Sequence, residues 1–159
     1  LKYQKRYRLD IFLTVLKIAL LRFNSDKSKN LLIYKCIIDV MGPKIIKINS
    51  IESSKGILSI IDKQNNLPFD IKRIFYVHSI PKNSKRGDHA HKKLKEFIWV
   101  INGEIDVITF SKDNSREKFI LNNPKEGLYI PEKTWSKQII NTENTIYCVA
   151  CSDYYDESD

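Results

Sequence analysis

Short apolar runs alternate with polar turns along the chain from about residue 42 to its end. These runs are rich in β-branched and aromatic residues, which is typical of β-strands. The predicted strands are 44–48, 56–61, 71–77, 96–100, 104–110, 117–121, 127–130, 136–140 and 145–151. Because no helical pattern separates them, these strands indicate an antiparallel sandwich or barrel. Asn102-Gly103, between two of the runs, is the strongest hairpin signal in the sequence.

The first forty residues have a different pattern. Residues 9–23 are rich in apolar side chains and follow a basic stretch, which predicts a helix. Its apolar part of about a dozen residues is shorter than the ~20 that a membrane-spanning helix needs. We therefore predict a basic helical extension over 1–40, docked on a surface or a partner, and a β domain over 41–159. Contact of an amphipathic helix with a membrane surface is the alternative for this extension.

The charge distribution argues against a nucleic-acid function. The chain has 159 residues, 42% of them hydrophobic, and a formal net charge of +8. Residues 1–40 carry nine Lys and Arg against three Asp (+6), which leaves 18 against 16 acidic residues (+2) in 41–159. A protein that binds the phosphate backbone needs its positive charge on the folded domain. We therefore expect no nucleic-acid partner.

The cysteines favour a reducing compartment. Cys36, Cys148 and Cys151 are odd in number, and the chain has no convincing signal peptide, so we expect a cytoplasmic protein. Cys148 and Cys151 have the spacing of a redox pair but lie in one predicted strand. Residues three apart on a strand face opposite sides, so we expect core packing instead of redox or zinc chemistry.

The candidate chemistry lies in residues 86–96. His89 and His91 are two positions apart, a spacing that puts both side chains on one face of a strand. Inside a small barrel that face lines the ligand cavity, whereas on the outer face both histidines would be merely solvated. The surrounding pattern Gly-x-His-x-His-x4-Glu-x6-Gly resembles the first signature of the cupin superfamily. It is made by Gly87, His89, His91, Glu96 and Gly103.

A second cupin signature is recognisable, but degraded, in residues 127–131 (GLYIP) and Asn141. Where metal-binding cupins place their last histidine, this chain has Ser136 beside Trp135. A serine hydroxyl is a poor ligand for divalent first-row metals, so we expect no metal. Two histidines and a glutamate could still form a facial triad for iron, which keeps a metal-dependent cupin oxygenase using His89, His91 and Glu96 open.

The combination of HAHK (89–92), GLYIP with Trp135, and SDYYDESD (152–159) is more specific. Together with FDIKRIFY (69–76), it resembles the dTDP-4-keto-6-deoxyglucose 3,4-ketoisomerases, the WxcM-like or FdtA/QdtA-type isomerases, over about residues 44–159. The resemblance implies a mainly β, antiparallel cupin-type (jelly-roll) barrel without cofactor, usually a homodimer. Such an enzyme moves the carbonyl of its dTDP-linked sugar from C4 to C3, and its product feeds 3-amino-deoxysugars into surface glycans or antibiotics.

Moving the carbonyl requires removal of the C3 proton, an enediol or enediolate, and protonation of C4. Histidine, with an unperturbed pKa of about 6.5, is suited to act as the base. The oxyanion of the intermediate needs fixed hydrogen-bond donors in a cavity with little water. We predict His91 as the principal base, His89 as second proton carrier or oxyanion donor, and Tyr76 as their hydrogen-bonding partner. The order of the two histidines could be reversed.

Five further residues are predicted to bind substrate. Arg86 and Lys92 suit the diphosphate, because arginine binds it in bidentate fashion and lysine supplies a point charge. Trp135 and Tyr129 would stack on the thymine or the sugar, unless they belong to the core. Arg73 would reach the ligand or pair with a carboxylate. The alternatives to a ketoisomerase are an epimerase of the same keto sugars, the iron oxygenase, and a non-catalytic sugar-binding cupin.

Overall fold

A computed structural model of the chain describes residues 42–64, 67–112 and 114–159. The predicted helix over 9–23 and the extension over 1–40 lie outside these residues. The described residues form eleven strands and no helix. The strands are β1 (Lys44–Lys47), β2 (Asn49–Ser53), β3 (Gly56–Ile60), β4 (Arg73–Val77), β5 (Lys85–His89), β6 (Glu96–Asn102), β7 (Ile105–Phe110), β8 (Arg116–Leu121), β9 (Glu126–Ile130), β10 (Trp135–Ile140) and β11 (Ile146–Cys151).

The strands form two main antiparallel sheets and a separate hairpin. One sheet has five strands in the order β1-β9-β6-β11-β4, the other has four in the order β5-β10-β7-β8, and β2 pairs with β3. The predicted class, a mainly β antiparallel jelly-roll type, is confirmed for the described residues. No helix in this part of the chain is long and apolar enough to cross a membrane.

The hydrophobic core is formed by alternate residues of strands from both sheets. The core residues contributed by strands are Ile98 and Val100 of β6, Ile105 and Val107 of β7, Leu121 of β8, Leu128 and Ile130 of β9, Ile140 of β10, and Tyr147, Val149 and Cys151 of β11. Full burial of one such aliphatic side chain contributes about 1.5–3 kcal/mol. Other inward positions of the same strands are polar, and these positions form the candidate site.

The predicted hairpin at Asn102-Gly103 is wrong in its pairing. The strand before this turn pairs with β9 and β11, whereas the strand after it pairs with β8 and β10. The turn itself is tight, since Gly103 has a φ of 86° and a Cβ there would lie 2.5 Å from Thr145 Oγ1. The turn therefore carries the chain from one sheet to the other. The residues of the turn favour the bend, whereas packing of the two sheets determines which strands pair.

Strand β5 has no apolar alternation, and the apolar pattern did not predict it. All five of its residues, KRGDH, are exposed. As an edge strand it pairs only with β10, and its polar residues need no apolar face.

Candidate active site

A bulge in β5 aims two polar side chains at the interior. Arg86 pairs with Gln138 and His89 pairs with Ser136, and the register shifts between these two pairs. Gly87 and Asp88 have φ values of 74° and 71°, in the left-handed region. In a regular strand two residues three apart would face opposite sides, and the extra residue of the bulge brings both Arg86 and His89 opposite buried residues of β10.

The two histidines lie together, although not on one strand as predicted. Strand β5 ends at His89, and His91 lies in the following loop. Their ring centroids are 4.9 Å apart with an interplanar angle of 83°. The loop is held in place because the carbonyl oxygen of His91 accepts a hydrogen bond of 2.6 Å from the backbone N–H of Lys133. The two rings are therefore neighbours through the geometry of the loop and not through alternation along one strand.

The imidazole of His91 lies between two carboxyl groups. Its Nδ1 is 3.1 Å from Asp159 Oδ2, and its Nε2 is 3.8 Å from Glu96 Oε1. The side chains of both acidic residues are only 12% exposed. Burial raises the pKa of Glu96 above that of an ordinary glutamate, and electrostatic interaction with His91, His89 and Arg73 offsets part of this rise. Glu96 therefore retains its proton to higher pH than a solvated glutamate does.

Arg86 joins the two sheets through a tyrosine. Its guanidinium donates a hydrogen bond to the hydroxyl of Tyr147, a residue of β11 that is 3% exposed. Burial raises the pKa of Tyr147, and the charge of Arg86 opposes this rise. The hydroxyl therefore stays neutral, and its hydrogen bond holds the guanidinium of Arg86 in a defined position.

Arg73 lies at the start of β4, paired with Cys151. Its Nη2 is 3.5 Å from Cys151 Sγ, and its guanidinium carbon lies 5.5 Å from the ring centroid of Tyr155. Its buried Nε has no hydrogen-bond partner in the described part of the chain. Since its charge acts on Glu96, Arg73 belongs to the same cluster as the histidines.

Three polar side chains line the interior beside His89. Ser136 pairs with both His89 and Thr109, and Gln138 Nε2 donates to Ser136 Oγ at 3.2 Å. All three, Thr109, Ser136 and Gln138, are buried. Thr109 is fully buried, and its Oγ1 has no hydrogen-bond partner among the described residues. An unpaired buried hydroxyl costs stability, so this one is suited to meet a polar group of a ligand.

The structure does not bring Tyr76 to the histidines. Tyr76 of β4 pairs with Cys148 of β11. The next residue of β11, Val149, belongs to the core, so Cys148 and Tyr76 face the opposite side of the sheet. Tyr76 is 65% exposed and stacks on His78 with 5.5 Å between ring centroids. It lines an open groove of about 330 Å³ that also includes Ser79. Strand alternation therefore places Tyr76 on the face of β4 opposite to Arg73.

Strand alternation also directs Tyr129 and Trp135 away from the interior. Tyr129 pairs with Phe97, is fully buried, and packs 6.2 Å from Phe69 on the outer face of the five-stranded sheet. Trp135 pairs with Phe110, and the centroids of the two rings are 5.2 Å apart. The Nζ of Lys137 lies 5.3 Å from the centroid of the indole ring. Strand alternation therefore places both aromatic side chains on the sides of their sheets opposite to the core residues.

Lys92 is exposed in the loop after His91, and its Nζ donates to the carbonyl oxygen of Ser158 at 2.7 Å. The same strand alternation confirms that Cys148 and Cys151 face opposite sides, since only Cys151 belongs to the core cluster.

Among the described residues, no three His, Cys, Asp or Glu side chains are grouped so that they could hold a metal ion.

Sequence analysis missed four residues of this cluster, namely Thr109, Gln138, Tyr147 and Asp159. Their positions in apolar strands made the first three look like core. Tyr147 and Cys151 are four residues apart in one strand, a spacing that puts both side chains on the same face. Asp159 was part of the SDYYDESD resemblance, but no local signal connects it to a histidine 68 residues earlier.

Comparison with known proteins gives consistent matches. The sequence profile described as WxcM-like, C-terminal matches residues 41–159. A TDP-4-oxo-6-deoxy-alpha-D-glucose-3,4-oxoisomerase of Aneurinibacillus thermoaerophilus is 35% identical over 119 residues, covering 75% of this chain and 85% of the relative.

Solved structures agree. The sugar 3,4-ketoisomerase QdtA of Thermoanaerobacterium thermosaccharolyticum, in complex with TDP, is 33% identical with a TM-score of 0.70, covering 76% of this chain and 87% of its own. WlaRA, a TDP-fucose-3,4-ketoisomerase of Campylobacter jejuni, is 35% identical with a TM-score of 0.70, covering 74% and 87% of the two chains. This chain belongs to the WxcM-like, C-terminal family of sugar 3,4-ketoisomerases.

Proposed function

We propose that this chain is an isomerase that converts dTDP-4-keto-6-deoxyglucose into a dTDP-3-keto-6-deoxyhexose. The observation that carries the proposal is the position of His91, whose Nε2 faces the buried carboxyl of Glu96 while His89 lies 4.9 Å away. This cluster offers several proton-carrying groups at one place, as a carbonyl shift requires. The relatives described above catalyse 3,4-keto isomerisation of TDP-linked sugars, and this supports the substrate class.

The reaction moves one proton from C3 to C4 and one from the C3 oxygen to the C4 oxygen. In our proposal His91 Nε2 removes the C3 proton and returns it to C4. His89, the more exposed of the two rings, takes the proton of the C3 oxygen and delivers it to the C4 oxygen. The enediolate in between carries negative charge, which fixed cationic donors stabilise in a site with little water.

The two arginines supply this positive charge. Arg86 has further N–H donors beyond the one that contacts Tyr147, and Arg73 has a buried Nε without a hydrogen-bond partner in the described chain. Lys92, which lies at the exposed loop, is proposed to contact the diphosphate. No step of this scheme draws on a metal or an organic cofactor.

Proton NMR of dTDP-4-keto-6-deoxyglucose incubated with the protein in deuterated water tests the proposal. We expect the H3 signal of the substrate to disappear as the carbonyl moves to C3. An H4 signal should appear in its place, reduced where the proton held by His91 exchanges with deuterium before it reaches C4. The coupling of the H5 signal to any residual H4 then assigns the C4 hydroxyl as axial or equatorial. Inversion of a ring carbon without carbonyl movement would instead show an epimerase, and binding without turnover a sugar-binding protein. The His91→Asn protein is the control for adventitious exchange.

We also propose a homodimer. The hairpin β2–β3 exposes the apolar side chains of Ile51 and Leu58, which pair across its two strands and are each more than half exposed. An isolated two-stranded hairpin is only marginally stable in water, so a second copy that covers these side chains would stabilise it. Light scattering after size exclusion measures the mass, and Leu58→Lys should favour the monomer.

The compartment and the pathway are further proposals. Cys148 and Cys151 are free thiols, as expected in the reducing cytoplasm. We propose that the 3-keto product is aminated to a 3-amino-deoxysugar of a surface glycan such as O-antigen lipopolysaccharide or an S-layer glycan. Conversion of the product by a sugar aminotransferase in the same reaction mixture tests this step.

A further inference from the structure

The carboxylate of Asp159 makes three contacts with the loop that carries His91. Its Oδ2 lies 3.1 Å from His91 Nδ1 and accepts a hydrogen bond of 3.3 Å from the backbone N–H of Leu94. Its Oδ1 accepts one of 2.9 Å from the backbone N–H of Lys93. The Asp159 side chain is 12% exposed, so these contacts are largely shielded from water.

These contacts have a consequence for the proton on His91. An ionised aspartate only accepts hydrogen bonds, and a neutral imidazole carries one N–H and one lone pair. Nδ1 must therefore carry the hydrogen that Asp159 accepts, and the lone pair lies on Nε2. This is the nitrogen that faces Glu96.

We propose that Asp159 is a positioning residue that fixes the Nδ1–H tautomer of His91 and leaves Nε2 free as the base. The inference rests on the proposed function for its catalytic consequence, and on geometry alone for the tautomer. It also explains the use of a carboxylate. An asparagine oxygen in the place of Oδ1 could still accept from the backbone N–H of Lys93. Its NH2 group would then take the place of Oδ2, where it loses the hydrogen bond from Leu94, donates to Nδ1 and moves the ring hydrogen to Nε2.

Two further contacts hold the segment that carries Asp159 in place. Lys92 Nζ donates to the carbonyl oxygen of Ser158, and the ring of Tyr155 lies 5.5 Å from the guanidinium carbon of Arg73. Because these contacts do not involve the carboxylate of Asp159, the segment keeps its anchors when only that carboxylate is changed. A substitution at Asp159 can therefore separate tautomer control from attachment of the segment.

The test uses the full chain and the conservative variant Asp159→Asn. We expect kcat to fall by about 10²–10⁴-fold, the usual contribution of a general base, because Nε2 would no longer have a lone pair. KM and the affinity for TDP should change less than about twofold. The matched control is Asp156→Asn. The Asp156 carboxylate contacts Ser158 and not His91, so this variant should keep its kcat.

Nitrogen-15 NMR of the imidazoles provides the readout that a merely structural role would not move. The unaltered protein should show His91 protonated at Nδ1, and Asp159→Asn should shift the proton to Nε2. An Nε2–H tautomer in the unaltered protein overturns the inference, even if the variant fails to fold. An unchanged kcat in folded Asp159→Asn overturns it too. If the unaltered protein does not isomerise the keto sugar, the proposed function fails, while the tautomer measurement still decides the role of Asp159.

Discussion

Gly87→Ala tests whether the bulge in β5 builds the site. The glycine has a φ of 74°, and an added Cβ would lie 2.6 Å from Gln138 Oε1 and 3.0 Å from the backbone oxygen of Ser136. The side chain of Gln138 can rotate away, but the oxygen of Ser136 belongs to the paired strand and cannot move without moving β10.

The expected loss of stability is the sum of two effects. An L-residue in the left-handed region costs about 1–2 kcal/mol. Crowding of the added Cβ against Gln138 and the backbone oxygen of Ser136 costs a further ~1–3 kcal/mol. The free energy of unfolding should therefore fall by roughly 2–5 kcal/mol, which lowers Tm by roughly 5–15 °C in a chain of this length. Because Arg86 and His89 flank the bulge, a displacement of about 1 Å should also reduce kcat by about 10²-fold.

Urea unfolding and a continuous isomerase assay measure both effects, and Gly56→Ala is the matched control. Gly56 also has a positive φ, of 120°, but nothing lies within 4 Å of an added Cβ. This control should show the conformational cost alone, about 1–2 kcal/mol. If Gly87→Ala is no less stable than Gly56→Ala and keeps full kcat, the bulge does not position the site and our reasoning fails.

Four further predictions concern the site. His91→Asn should fold normally and lower kcat by about 10²–10⁴-fold, and near-normal turnover would remove His91 from the mechanism. Thr109→Val removes a buried unpaired hydroxyl, so calorimetry should show a gain of about 1–3 kcal/mol together with weaker substrate binding, whereas a loss of stability would mean that the hydroxyl is paired. Glu96→Gln should stabilise the protein increasingly as pH rises, because burial raises the folded-state pKa of Glu96. In the unaltered protein, the protonated Glu96 carboxyl contributes stability below the pKa of the unfolded state, and this contribution is lost as pH rises through the pKa of the folded state. The glutamine variant has no such loss. Equal Tm differences between the two proteins at about pH 4.5 and about pH 8 would contradict this. Dialysis against a strong chelator should leave activity unchanged, and activity that returns only with added iron, manganese or zinc would favour the facial triad.

The order of apolar and polar residues determined much of the fold. Alternation along runs such as 105–110 and 146–151 defines which side of each strand is buried, since the period of a strand is two residues. The same rule separates Cys148 from Cys151. The pattern around His89 and His91 identified the loop for which we propose the chemistry, and resemblance to a family supplied the reaction.

Tertiary structure decided which residues meet. The sequence favours a hairpin at Asn102-Gly103, but the strands on either side pair within different sheets. Tyr76 is close to the histidines in sequence, yet the parity of its strand turns it outward. The bulge at Asp88 and the contact between Asp159 and His91 depend on backbone geometry and on residues far apart in the chain. Local propensity specifies the face of each strand, whereas long-range pairing determines which faces enclose the site.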